Sequence, residues 1–280
     1  MWHFKIVTTQ SLAKALNTLS FRLKYISKSL LPFPVNPFSI YQVVKEYTYL
    51  FQEIFDEPSK DIKPLPVFFQ HEKRYRKVRG IEAFGKRFYL KEYYARFDEA
   101  EAEWKNLFRL KDLGFSVPEP FFFLRLADRV MVATFEIKGV PLSELLQTHP
   151  HERKKLIFKL SELLANLHSK NIYHQDCYLN HFYWDDDSQT LSFLDVPRVL
   201  FNPHFALRYQ IKDLGQVGYS FEEYLKEEGR EAFQIFLFYY LENIKSLGRS
   251  HKRLIKILTE VKVWLIRRRT LRARRKGKVL

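Results

Sequence analysis

The chain has one cysteine, Cys177, in 280 residues. A lone thiol excludes an intramolecular disulfide and a zinc centre built on cysteines, and it fits a reducing compartment. No base partners Cys177 in its own motif, so a packed small side chain is favoured over a nucleophile. Apolar runs are short: none reaches the roughly 18 to 20 residues that a membrane-spanning helix requires. The N-terminal stretch also lacks the unbroken apolar core of a secretory signal. Residues 1–40 contain no Asp or Glu, yet they hold Lys5, Lys14, Arg22, Lys24 and Lys28. Over the whole chain 47 Lys and Arg oppose 32 Asp and Glu, a net charge of +15. That excess demands an anionic partner, which could be nucleic acid, a phosphorylated substrate or an acidic membrane surface. With 46% hydrophobic residues the chain can still bury a substantial core, as one bilobal unit or two small domains.

Leu12, Leu16, Leu19, Leu23, Ile26 and Leu30 recur at steps of four and three, which predicts an amphipathic helix. Its basic face suits a bilayer interface, a transit segment, or simply solvent, with the helix packed on the main body; the packed helix is favoured. Prolines at 32, 34 and 37 break this pattern. Ile40, Val43, Val44, Tyr47, Leu50, Phe51 and Ile54 then predict a second helix, followed by a linker through Pro58, Pro64 and Pro66. Residues 1–65 thus read as a helical extension.

From Phe68 the pattern turns to strands: Lys73 to Arg79, a turn at Gly85-Lys86, and Arg87 to Tyr94. Lys91 follows Phe88-Tyr-Leu90 and projects its ammonium from an otherwise apolar strand. A helix from Glu99 to Leu113 packs through Trp104, Leu107, Phe108 and Leu110, offers Glu103, and stops at Gly114. A lysine on a strand followed by a glutamate on a helix is the pairing that holds nucleotide phosphates in kinases. Read singly, Lys91 is an exposed cross-strand charge and Glu103 a solvated one. Val130 to Glu136 reads as a strand and Ile137 to Pro141 as a connection. In a two-lobed nucleotide-binding fold that connection is a hinge, with the backbone of Glu136 and Ile137 meeting the adenine edge. Lys154 to His168 is a strongly periodic helix that delivers the chain to its central loop.

That loop is Asn171-Ile-Tyr-His-Gln-Asp-Cys-Tyr-Leu-Asn-His-Phe-Tyr-Trp184, followed by Leu191-Ser-Phe-Leu-Asp-Val196. Two short apolar runs flank a polar turn bearing His174, Asp176, Asn180 and His181. Asp176 and Asp195 stand nineteen positions apart, with strand-like sequence between them able to fold back and bring both carboxylates to one cleft. Phosphoryl transfer to a hydroxyl needs two such groups, one to receive the proton and one to hold magnesium. Read singly, Asp176 could equally cap a turn and Asp195 close a strand.

Asp176-Cys-Tyr-Leu-Asn-His-Phe182 resembles the Asp-Cys-Tyr-x-x-His-Phe catalytic loop of the bacterial lipopolysaccharide kinases, which phosphorylate Kdo or heptose in the inner core. Lys212-Asp-Leu-Gly-Gln-Val-Gly-Tyr-Ser220 is similar to that family's Arg-Asp-Leu-x-x-Leu-x-x-Ser. The resemblance spans residues 70–225 and implies an α+β, protein-kinase-like two-lobed fold, with an N-lobe over 66–136 and a helical C-lobe over 137–280. It implies ATP and Mg2+ as cofactors. Asp176 would be the catalytic base, Asp195 and His181 metal ligands, and Lys91 the phosphate contact oriented by Glu103. Asp213 would brace the catalytic loop near His174, itself a structural hydrogen-bonder more than an acid or base. His181 could instead donate to phosphate or substrate, with Asn180 supplying a metal oxygen. The chain departs from general kinases in three respects. Asp195 precedes Val-Pro rather than Phe-Gly, which limits backbone freedom. No Gly-x-Gly-x-x-Gly precedes Lys91, so Arg76, Lys77 and Arg79 would cover the phosphates. Only eighteen positions separate Asp195 from Asp213, which favours a compact sugar acceptor over a protein.

Phe221 to Leu247 reads as aromatic-rich core helix. Leu254, Leu258, Val261 and Leu265 mark a last amphipathic helix running into Arg267–Lys278, where eight of twelve residues are Lys or Arg. Such a cluster is attracted to anionic lipid at about 1 kcal/mol per charge; a nucleic-acid arm has equivalent chemistry, and a simply solvated tail is the plain alternative. The resemblance therefore implies a lipopolysaccharide or lipid A precursor as substrate. It also implies a peripheral position on the cytoplasmic face of the inner membrane, contacting its anionic surface, and disfavours nucleic acid as partner. The rivals are a kinase of protein or of a small soluble acceptor, and a degenerate kinase-fold scaffold that binds nucleic acid or membrane.

Overall fold

The computed structural model describes residues 40–55, 62–244 and 248–277. The helix expected over Leu12 to Leu30 lies outside them. Two compact units form, one from the residues up to Ala100 with Glu119–Glu136, the other from Glu101–Pro118 with Ile137 onward.

The first unit is built on an antiparallel six-stranded sheet, in the order β1 (Ile40–Val43), β5 (Pro120–Arg125), β6 (Val130–Phe135), β4 (Lys86–Tyr93), β3 (Arg76–Ala83), β2 (Val67–Lys73). Phe84 and Gly85, both at positive φ, close the two-residue β3–β4 hairpin, the backbone that matches the right-handed twist of paired strands. Side chains alternate along β4: Phe88 and Leu90 are fully buried, so Lys91 belongs to the opposite face. The core packs Phe51 and Phe55, the former from α1 (Thr48–Ile54), against Phe122, with ring centroids 5.1 and 5.5 Å apart. The helix expected from Ile40 begins only after a strand. Ile40 to Val43 pair with Arg125 to Phe122, because Ile40, Val43 and Val44 fit either period and an open edge of β5 decides between them. Arg79, expected over phosphates, pairs at 2.9 Å with Glu92, and Arg76 lies over the Tyr93 ring at 5.6 Å. A carboxylate as buried as Glu92 requires that cation.

The second unit is mostly helical. The later part of α2 (Phe97–Asp112) joins α3 (Leu142–Thr148), α4 (Arg153–Ser169), α5 (Ala206–Leu225), α6 (Gly229–Asn243) and α7 (Arg249–Arg275). Leu156, Ile157, Leu160, Leu164 and Leu167 of α4 enter one core with Leu214, Val217 and Phe221 of α5 and Phe233, Phe236 and Tyr240 of α6. Two small sheets frame the loop region. One has the order β10 (Thr190–Phe193), β9 (Phe182–Asp185), β7 (Val140–Pro141); the other pairs β11 (Leu200–Phe201) with β8 (Ile172–Tyr173). Gly139, at φ +104°, lies against the Trp184 carbonyl with no room for a Cβ, which lets β7 reach β9. The basic C-terminal run, expected to be helical, is helical to Arg275, since Arg, Leu and Ala are good helix formers.

Candidate active site

The loop after β8 is held from below by one carboxylate. Asp213 of α5 has no exposed surface. It accepts the backbone N–H of His174 and of Gln175, each at 2.7 Å, the Gln175 side-chain amide at 3.2 Å and His168 Nε2–H at 3.3 Å. Two successive amides aimed at its two oxygens keep Gln175 at φ +68°, a conformation that costs a non-glycine residue energy unless its surroundings impose it. One turn further along α5, Gln216 Oε1 accepts Cys177 N–H at 3.0 Å and its amide donates to the Gln175 carbonyl. Ser220 Oγ accepts Leu179 N–H at 3.3 Å. Residues 213, 216 and 220 share one helical face, so α5 captures the loop by its backbone. Among these, Asp213 alone is assigned a role by sequence; Gln216, Ser220 and His168 are missed, although polar residues on the apolar face of a helix are the signal that could have found them.

His174 ties the loop to the second acidic segment. Its Nε2–H donates to the Leu194 carbonyl at 3.0 Å and its Nδ1 accepts Asp176 N–H at 3.2 Å. Those partners require the neutral ring, and burial pulls the imidazole below its ordinary value. His181 has the opposite tautomer: Nδ1–H donates to the Asp176 carbonyl at 2.8 Å, which leaves the Nε2 lone pair for a ligand. Leu194 N–H donates to the His181 carbonyl at 3.0 Å, bringing Asp195 beside that ring. Asp195 takes φ +61°, and the turn after it is fixed by Asn106 of α2, whose amide donates to the carbonyls of Val196 at 2.8 Å and Val199 at 3.3 Å.

Asp176, His181 and Asp195, all half-buried, bring one ligand atom each within 4.8 Å of one another. Donors around a magnesium ion at about 2.1 Å lie some 3 to 4 Å apart, so a small closing rotation lets this set hold a divalent cation. Two carboxylates and an imidazole suit such an ion, although magnesium favours the oxygens. Asn180 is exposed. Cys177 is fully buried and burial pushes its thiol well up, the state of a packed side chain rather than a nucleophile. Lys91 lies half-buried on β4 in the first unit, and Glu103 is buried in the part of α2 that belongs to the second. Glu136 spends its N–H on the Arg87 carbonyl at 3.0 Å, so only its carbonyl remains for a ligand; Ile137 opens the second unit.

The solved structures that the fold matches include two with TM-scores above 0.5. One is "WaaP in complex with acyl carrier protein" (19% identity, 71% of this chain and 88% of that one, TM-score 0.54). The other is an aminoglycoside-3'-phosphotransferase of type VIII (14% identity, 71% and 93%, TM-score 0.53). An antiparallel sheet followed by a helical unit with this loop order is thus a kinase-like fold. No curated protein sequence matches the chain. The profile of the lipopolysaccharide kinase (Kdo/WaaP) family, however, matches residues 70–240, and the chain belongs to that family. It is an ATP-dependent phosphotransferase with an alcohol group as acceptor, acting in lipopolysaccharide synthesis.

Proposed function

We propose that this kinase phosphorylates a hydroxyl of Kdo or heptose in the lipopolysaccharide inner core, with Asp176 as base and Asp195 and His181 as metal ligands. The observation that supports this best is the convergence of Asp176, His181 and Asp195 within 4.8 Å. Magnesium held there would offset the charge of the transferred phosphoryl group. Asp176 then receives the proton that the acceptor oxygen loses, and its backbone, tied at N–H by His174 and at the carbonyl by His181, keeps the carboxylate in position. Lys91 is assigned to the α and β phosphates, Glu103 to its orientation, and the backbone at Glu136 and Ile137 to the adenine, on their order in the chain and the family likeness. Asp213 acts at one remove, by holding the loop.

The acceptor is membrane-borne in this reading. Outward on α7, Leu254, Ile257, Val261, Trp264 and Leu265 are 44 to 50% exposed among many arginines, a face suited to lying in an anionic bilayer interface. No helix of the described residues is long and apolar enough to cross a membrane. The test is transfer of label from γ-labelled ATP into lipopolysaccharide precursors compared with protein extracts. Label in the glycolipid fraction is expected; label confined to protein overturns the reading.

A further inference from the structure

The two sides of α7 are charged differently. On one side Arg267 is paired with Glu222 and Arg274 with Glu223, both acids belonging to α5. On the other, a cleft of about 390 Å³ is lined by Lys262, Leu265, Ile266, Arg268, Arg269 and Arg272. Four of these six residues are cations and none is acidic, and among the described residues none of the four is salt-bridged to a carboxylate. Like charges gathered without counter-charge repel one another, and an anion relieves that.

The cleft adjoins the catalytic loop. Gly215 of α5 lies against the stem of Lys262 and near Ile266, with no room for a Cβ. Its neighbour Gln216 is the residue that holds Cys177 and Gln175. Lys262, Ile266 and Arg269 follow one another at helical spacing along this seam. The basic cleft and Asp176 thus flank the same short segment.

We propose that this cleft is an acceptor subsite, in which Lys262 and Arg269 bind a phosphomonoester already present on the sugar lipid and thereby orient its free hydroxyl toward Asp176. Guanidinium and ammonium groups around one pocket are the recognition chemistry of phosphate, and Leu265 and Ile266 offer apolar contact beside it. The inference rests on the proposed glycolipid acceptor and adds that the enzyme selects acceptors by a second anionic group. Lys262 and Arg269 are specificity residues here, with no share in proton transfer.

The test uses the full chain with Lys262→Met and Arg269→Gln, singly and together. Lys262→Met keeps the stem against Gly215, and Lys256→Gln, exposed on α7 outside the cleft, serves as control. Phosphorylation is followed with two acceptors, a Kdo-bearing lipid A precursor with its glucosamine phosphates and the same molecule dephosphorylated. Each single variant is expected to raise KM for the phosphorylated acceptor about tenfold or more, the loss of one charge-assisted contact, with kcat retained. KM for the dephosphorylated acceptor is expected to be high in wild type and unmoved by the variants. Equal behaviour of both acceptors overturns the proposal, as would a selectivity due to the Kdo carboxylate alone. Calorimetric titration with glucosamine 1-phosphate, in the presence and absence of phosphatidylglycerol vesicles, gives a readout independent of turnover. Binding lost in the double variant and not displaced by vesicles supports the subsite. Vesicle binding lost with sugar phosphate never bound assigns the cleft to the membrane and overturns it. If wild type labels neither acceptor, the glycolipid reading fails separately, and the titration alone decides whether the cleft binds sugar phosphate.

Discussion

Asp213 and the pair Asp176 and Asp195 are carboxylates of one small region in opposite surroundings. Asp213 is wholly buried and receives four N–H groups. Asp176 and Asp195 are half-buried and share their space with an imidazole that has a ring nitrogen to spare. Four donors make the first a structural anchor; the others, more accessible, are the ones proposed for chemistry. Full burial with matched donors, rather than residue type, marks a carboxylate as a brace.

This contrast can be broken at its open end first. Asp176→Asn is expected to lower kcat for the glycolipid acceptor by about 10²- to 10⁴-fold, as for a general base, with an unchanged melting transition; loss of fold together with activity would place Asp176 among the anchors. At the saturated end, Asp213→Ala strands two buried backbone N–H groups, each worth about 1 to 3 kcal/mol. Urea unfolding should therefore register a loss of roughly 3 kcal/mol, with activity falling because the loop moves. His174 sharpens the middle of the comparison. Burial depresses its folded-state pKa below the ordinary 6.5, so its contribution to stability is complete above that pH. It is lost as pH falls through 6.5 toward the depressed value, because the unfolded chain takes the proton first. The stability difference between wild type and His174→Asn should accordingly shrink on acidification from pH 7 to 5. The smallest effect belongs to the surface: Glu222→Gln, which removes the partner of Arg267, should cost under about 1 kcal/mol and diminish further in salt.

Much of this was legible in the chain. The α4 periodicity, the lysine strand, the glycine turn and the loop motif needed only local pattern. The strand at Ile40 to Val43 was not legible, because its spacing also satisfies a helix and its partner β5 lies about eighty positions away. His168 looked like one more helix residue, and only folding brings it to Asp213, forty-five positions on. Arg79 looked available, but across β3 and β4 it stands opposite Leu90 and reaches diagonally to Glu92. Contacts between a side chain and a distant backbone amide, as from Gln216 and Ser220, leave little trace in a single sequence beyond polar residues on an apolar helix.

The amide of Asn106, gripping the carbonyls on both sides of Pro197, works as a tether on the segment that bears Asp195. A proline within the tethered turn removes a degree of freedom that an in-and-out swing would need. If Asp195 holds the metal as proposed, it is kept at its post whether or not substrate is present, and control over such an enzyme would fall to the arrival of its acceptor rather than to the posture of its loop.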